Sequence, residues 1–250
     1  MILAIDIGNT TVSLAVLSGQ RIVSKHIIWT KDAAKAGGLL RSLKRKFPRV
    51  RGVVICSVVP HALRVVASRA TRVFKRAPLV IGRDITVPLK NNYKNPKQVG
   101  QDRLVGAYAA KMLYGYPAII IDFGTAITFD VVNAQGAYDG GIIVPGIRLS
   151  AESLFRKTAM LPEVLTFKVP RSIVGKTTQD SILSGIFYGY AALCNGLIGS
   201  LQKNLKKKAK VIITGGHTQI MKKFIRKNIT GVDDHLVFKG IFLTCRAARK

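Results

Sequence analysis

Ile2-Leu-Ala-Ile-Asp6-Ile-Gly8-Asn9-Thr10-Thr11 and Ala118-Ile-Ile-Ile-Asp122-Phe-Gly124-Thr125-Ala126 share one pattern, offset by 116 positions. Each is an apolar run of strand length that ends in Asp, then Gly, then a hydroxyl-bearing turn. Each is followed by a second β-rich run, Val12-Ser-Leu-Ala-Val-Leu in one case and Ile127-Thr-Phe-Asp-Val-Val in the other. A repeat this long argues for a duplicated domain, because solenoid periods are shorter. The expected halves are 1–115 and 116–250.

Working outward from the first turn, residues 20–29 read as a strand and 33–47 as a helix. An apolar strand over 52–59 closes at Pro60, and a basic amphipathic helix covers 61–74. A short strand at 79–81 precedes an irregular Asn- and Pro-rich loop at 88–98, then a helix at 104–113. After the second turn the hairpin runs to Asp139 and into Gly140-Gly-Ile-Ile-Val-Pro-Gly146. Helices are expected at 149–158, 219–227 and 238–249, with a strand at 210–214. Strand and helix alternate in both halves, so the class is α/β with mixed sheets flanked by helices.

The Asp-Gly-hydroxyl turn is suited to phosphate. Glycine lets backbone N–H groups approach phosphate oxygens, and Asn9, Thr10 and Thr11 add side-chain donors. An Asp would repel phosphate directly, so its use there is to hold a hydrated cation that bridges the two. One such turn alone reads equally well as a hairpin; two at matching places favour the functional reading.

Composition sets the background. The 250 residues carry 40 Lys+Arg against 12 Asp+Glu, a formal charge of +28. The mean hydropathy is +0.23 and 48% of residues are apolar, which excludes a disordered chain. Such a charge attracts polyanions without saying which is functional. Cys56, Cys194 and Cys245 show no CxxC spacing and are expected as buried thiols in a reducing cytoplasm. The N-terminal run meets a carboxylate after five residues and lacks a basic n-region, so no signal peptide is expected. Residues 181–202 carry no charge. Their length would span a membrane, but their Gly, Ser, Asn195 and Tyr content favours a helix buried in the core or at a subunit interface.

A third carboxylate lies in Gly100-Gln-Asp102-Arg103, at the start of a helix. Asp102 is read either as a cap favoured by the helix N-terminus or as a general base beside an arginine that binds an anionic substrate. The basic runs at 41–51, 64–76, 203–210 and 222–227 fall mostly on helices and read as solvated faces. They lack interleaved aromatics for stacking. His217, after Gly215-Gly216, reads as a solvated turn residue, with a place near adenine as the alternative.

Read in order, these residues resemble the type III pantothenate kinases of the actin-like, sugar-kinase-like ATPase superfamily. The landmarks are Asp6-Ile-Gly-Asn-Thr10, Ser57-Val-Val-Pro60, Tyr93 with Gly100-Gln-Asp102-Arg103, Asp122-Phe-Gly-Thr-Ala126, Gly140–Gly146 and Thr214-Gly-Gly216. Thr158-Ala-Met-Leu-Pro162 and Gly175-Lys-Thr-Thr178 complete the set, which covers nearly the whole chain.

The resemblance implies a duplicated actin-like two-lobe fold and phosphorylation of the pantothenate 4′-hydroxyl by ATP, the first step towards coenzyme A. It implies ATP contacts at Asp6, Ile7, Gly8, Asn9, Thr10, Thr11, Val12, Ser13 and Thr125, and Asp102 as proton acceptor. Substrate contacts map to Tyr93, Gly100, Gln101, Asp102 and Arg103, with Thr178 arriving from a homodimer partner into a shared site. It places a monovalent cation, K⁺ or NH₄⁺, at Asp122, and Mg²⁺ at Asp6, directly or through water. Gln101 departs from the small apolar residue usual in the family, and the +28 charge departs from the near-neutral or acidic balance expected of such a kinase. A cytoplasmic enzyme is expected, without membrane association and with nucleic acid bound only through non-specific electrostatics. The alternatives are a regulatory or nucleic-acid-associated protein on the same scaffold, or a kinase for another small-molecule hydroxyl.

Overall fold

The opening apolar run becomes a central strand because its alternate residues face two different layers. The computed structural model describes residues 1–225 and 229–249. In chain order the first part contains β1 (Ile2–Ile7), β2 (Thr11–Ser18), β3 (Arg21–Trp29), a 3₁₀ turn (Thr30–Lys35) and α1 (Ala36–Lys46). It continues through β4 (Val53–Ser57), α2 (Pro60–Phe74), β5 (Leu79–Val80), a short 3₁₀ turn (Pro96–Gln98) and α3 (Gln101–Tyr114). The second part contains β6 (Ala118–Phe123), β7 (Ala126–Val132), β8 (Tyr138–Pro145), α4 (Ile147–Lys157) and α5 (Thr178–Leu205). It ends with β9 (Lys210–Thr214), α6 (Thr218–Met221), β10 (Gly231–Val232) and α7 (Leu236–Ala247).

The two sheets have the same order, β3-β2-β1-β4-β5 and β8-β7-β6-β9-β10. In each, two antiparallel pairs are followed by two parallel pairs. Asp6 is paired with Ser13 and Cys56, and Asp122 with Thr128 and Thr214, so the two Asp occupy equivalent places on equivalent strands. The turns differ in length by one residue: Ile7 pairs with Val12, but Phe123 pairs with Ile127.

The chain divides into two compact units, Tyr114–Asp234 and the remainder, in which the C-terminal segment from His235 joins residues 1–113. The expected second half, 116–250, included that segment. In the structure α7 packs on β1 and β4 instead. Its Gly240 lies against Val105 of α3, where a Cβ would stand 2.6 Å from Cγ1.

The first core joins Leu3, Ile5, Ile7, Val12 and Leu14 to Leu40 and Leu43 of α1 and Ala62 and Val66 of α2. The second joins Ile119, Ile121, Phe123 and Phe129 to Ile182, Ile186, Phe187, Cys194 and Ile198 of α5. Burying an Ile, Leu or Phe of this kind stabilises by about 1.5–3 kcal/mol. By length and composition α5 could cross a membrane, yet one face of it fills the core of its own unit.

Two elements differ from expectation. The helix expected at 104–113 starts at Gln101, which puts Asp102 in its first turn. The helix expected at 219–227 is the single turn α6 followed by turns through Phe224. Arg226 and Lys227, which ended that expected helix and the basic run 222–227, lie outside the described residues.

Candidate active site

The first turn is braced before any ligand arrives. Gly8 N–H donates to Thr11 O at 2.9 Å, and Thr30 N–H donates to Thr10 O at 2.9 Å. The Thr30 hydroxyl donates to Gly8 O at 2.7 Å. A turn held this way loses little further freedom on binding. Asn9 is exposed; Asp6, Thr10, Thr11 and Ser13 are half-buried. Ile7 and Val12 belong to the hydrophobic core, which leaves only their backbone for a ligand. A Cβ on Gly8 would meet Thr11 O at an ordinary 3.6 Å. The fold does not require glycine there, which suits a position kept bare for an approaching group.

The N-terminus of α3 carries the third carboxylate. Arg103 N–H donates to Asp102 Oδ1 at 2.8 Å. A Cβ on Gly100 would stand 2.5 Å from the same oxygen, so glycine is what lets the carboxylate fold back over the turn. Asp102 is half-buried, and its burial raises its pKa above the ordinary range, against the pull of the Arg103 N–H and charge. Cys56, fully buried, has its thiol pushed well up by burial and further by the charges of Asp6 and Asp102. Cys56 is the residue paired with Asp6 across β1 and β4.

Tyr93 is half-buried and its N–H donates to Asn91 Oδ1 at 3.0 Å. Gln101 packs on the turn after β5. There Gly82, at φ +85°, would carry a Cβ 2.7 Å from the Gln101 Cδ. The larger residue at this place is matched by a glycine opposite it.

The second turn is built the same way in the other unit. Gly146, directly after β8, donates its N–H to Thr125 O at 3.1 Å, just as Thr30, directly after β3, bonds Thr10. His217 N–H donates to Phe123 O at 3.2 Å. Gly215, at φ +100°, lies against Asp122 and Phe123, where a Cβ would stand 2.5 Å from Phe123 N. Asp122 is half-buried and Thr125 exposed. His217 is half-buried rather than solvated; burial lowers its pKa, and the Arg148 charge adds to this. Thr178 is the exposed first residue of α5. The preceding Thr177 caps that helix, its hydroxyl accepting from Asp180 N–H at 3.1 Å and donating to the Asp180 carboxylate at 2.9 Å.

Among the described residues no group of three or more His, Cys, Asp or Glu side chains converges as a metal cage. Isolated carboxylates of this kind fit Mg²⁺, which keeps several waters and takes one or two carboxylates plus substrate phosphates. Thr30 and Gly82 were missed by sequence reasoning. Each acts through a partner far away in the chain, Gly8 and Gln101 respectively, so no local motif marks them.

Comparison with known proteins agrees with this architecture. Residues 2–200 match the family model described as type III pantothenate kinase. A type III pantothenate kinase of Persephonella marina is 42% identical over 252 residues, covering 97% of each chain. One of Sulfurihydrogenibium sp. is 39% identical, covering 97% of this chain and 98% of that protein. Among solved structures, a protein named for the Baf family of transcriptional activators from Campylobacter jejuni superposes with TM-score 0.62 at 18% identity, over 99% of each chain. A protein named as a 2-dehydro-3-deoxygalactonokinase from Sinorhizobium meliloti superposes with TM-score 0.61 at 15% identity, also over 99% of each. At those identities the structures speak for the duplicated actin-like α/β fold alone. The sequence matches span nearly the whole chain at about two-fifths identity, and on them the chain belongs to the type III pantothenate kinase family.

Proposed function

We infer that this chain transfers the γ-phosphoryl group of ATP to the 4′-hydroxyl of pantothenate. The observation that carries the reading is Asp102. It is held by Gly100 and the Arg103 N–H at the start of α3, and its charge, like that of Asp6 at the start of the first phosphate turn, raises the pKa of the buried Cys56 thiol. Phosphoryl transfer asks mainly for positioning and charge neutralisation. The backbone and hydroxyls of the turn from Asp6 to Ser13 supply donors for the phosphates, and Thr125 a further contact. Asp102 takes the proton of the attacking hydroxyl, for which its raised pKa suits it. Arg103 pairs with the pantothenate carboxylate, and Tyr93, Gly100 and Gln101 line that substrate. Asp6 would hold Mg²⁺ through water, which supplies neutralisation of the β- and γ-phosphates. Asp122 would hold a monovalent cation, K⁺ or NH₄⁺.

The same reading includes a cytoplasmic homodimer in which Thr178 comes to the site from a second copy of the chain. Exposed Thr178 and the exposed Met160, Leu165 and Ile173 that precede α5 support it. Membrane association is no part of this reading.

The test is ADP release with Mg²⁺ with and without pantothenate, repeated with K⁺ or NH₄⁺. Release that depends on pantothenate and rises with the monovalent cation is the expected result. Release that follows another acceptor would point to a different small-molecule kinase, and none with any acceptor would favour a non-catalytic regulatory protein. Sedimentation of an active monomer would overturn the shared site.

A further inference from the structure

From Ala33 to Arg83 the chain contains thirteen Lys and Arg residues and no Asp or Glu. This stretch builds α1, β4 and α2. A solvated helix face ordinarily alternates the sign of its charges, because opposite charges three or four residues apart stabilise and like charges destabilise. Here Arg41 and Arg45 stand four apart on α1, both exposed. Arg72, on α2, is exposed as well. Among the described residues none of the three is in an ion pair. They line one open groove of about 520 Å³ with Lys44, Pro48 and Val73. The excess charge is therefore gathered into a shaped place where two helices supply cations to one volume.

Lys44 has a different part. Its ammonium donates to Val73 O at 2.7 Å and lies 6.0 Å from the centre of the Phe74 ring. It ties the end of α1 to the end of α2 and occupies the Phe74 face. Lys46 stands 5.7 Å from the centre of the Phe47 ring. Both rings are half-buried, and neither is among the residues that line the groove, so the groove offers no aromatic stacking face to an unpaired base. Three arginine forks around a groove match phosphate oxygens bidentately. Phosphates presented without accessible base faces are the outside of a duplex. The groove is also concave, which suits a strand of backbone better than a flat acidic bilayer.

We propose that the groove between α1 and α2 is a docking surface for the sugar–phosphate backbone of double-stranded nucleic acid, gripped by Arg41, Arg45 and Arg72 without sequence readout. This goes beyond the kinase reading and does not depend on it, since none of the three arginines belongs to the phosphoryl-transfer machinery.

The test uses the full-length protein and a fluorescent DNA duplex of about 20 base pairs and arbitrary sequence, titrated by anisotropy between about 50 and 200 mM salt. The variant R41A/R45A/R72A is compared with K203A/K207A/K208A, which removes the same charge from the exposed end of α5 and the turn after it. The groove variant is expected to bind about tenfold more weakly or worse. The slope of log affinity against log salt should fall by about two to three, one increment for each phosphate that is no longer neutralised. The α5 variant should bind nearly as the parent does. R41K/R45K/R72K keeps the charge but not the fork and should fall between the two. Cooperative thermal unfolding, measured on all four proteins, reports that each is folded, and ADP release should be alike in all four. Equal weakening in the two alanine variants would overturn the proposal in favour of diffuse charge. So would absence of duplex binding at the lowest salt, or a groove variant that still binds the duplex but, in a parallel sedimentation assay, no longer binds phosphatidylglycerol vesicles.

Discussion

Gly100 and Asp102 are fitted to each other: Oδ1 of Asp102 lies where a Cβ on Gly100 would come within 2.5 Å of it. The carboxylate can fold back to the Arg103 N–H because residue 100 has no side chain. Gly100→Ala should therefore displace the proposed base while sparing the first turn. Its kcat should fall by about 10²-fold, the scale of a misplacement near 1 Å, with the KM for ATP little changed. Steady-state kinetics with each substrate varied in turn will show this; a KM effect for ATP alone would place the glycine in nucleotide binding instead.

Thr30 is a positioning residue for the first turn. Thr30→Val keeps the backbone bond to Thr10 O and removes the hydroxyl bond to Gly8 O. The expected loss of stability is about 1 kcal/mol, as for one net hydrogen bond. The KM for ATP should rise several-fold while kcat changes less, because the loosened turn must be ordered by the nucleotide. Denaturant titration and ATP titration separate the two effects. An unchanged KM would show that the brace serves the fold alone.

The three thiols should be silent in the native protein. Cys56, Cys194 and Cys245 are free and buried. Burial pushes Cys194 up to about 12 and Cys56 well above its ordinary value, where Asp6 and Asp102 add to the effect. A disulfide-exchange reagent at mildly alkaline pH should label none of them until denaturant is added, and should leave turnover intact. Rapid labelling of Cys56 with loss of activity would mean that the pairing of β1 with β4 opens at Asp6 in solution.

What could be read from the sequence was what is written locally. The strands carrying Asp6 and Asp122 near their ends are apolar runs closed by an Asp-x-Gly turn, and both were legible with their equivalence, because each signal lies within ten residues. The start of α3 was misjudged by three residues, since Gly100 and Gln101 carry no periodic apolar signal. The docking of α7 was not legible at all. Its buried Leu236, Ile241 and Leu243 mark a helix that packs on something, but not that β1 and β4 are the strands. The match of Gln101 to Gly82 was hidden for the same reason: a residue that looks out of place can be judged only once its neighbour in space is known.

Asp102→Asn should separate catalysis from stability. Turnover should fall by on the order of 10²–10⁴, the share carried by a positioned base, while ATP binding persists. Stability should move the other way. Burial raises the pKa of Asp102 in the folded protein, so the folded state binds a proton more tightly than the unfolded chain. The slope of unfolding free energy with pH follows protons bound unfolded minus protons bound folded. That difference is negative between the unfolded pKa and the raised folded one, so the wild type loses stability as pH rises through this window, and the loss persists above it. Asparagine carries no charge to desolvate and escapes that loss. The variant should melt higher than the wild type near neutral pH, and the gap should close at pH values below the ordinary Asp range. Thermal unfolding of both proteins across that range is the measurement; a gap that widens as pH falls would mean that the charged form of Asp102 is favoured by the fold.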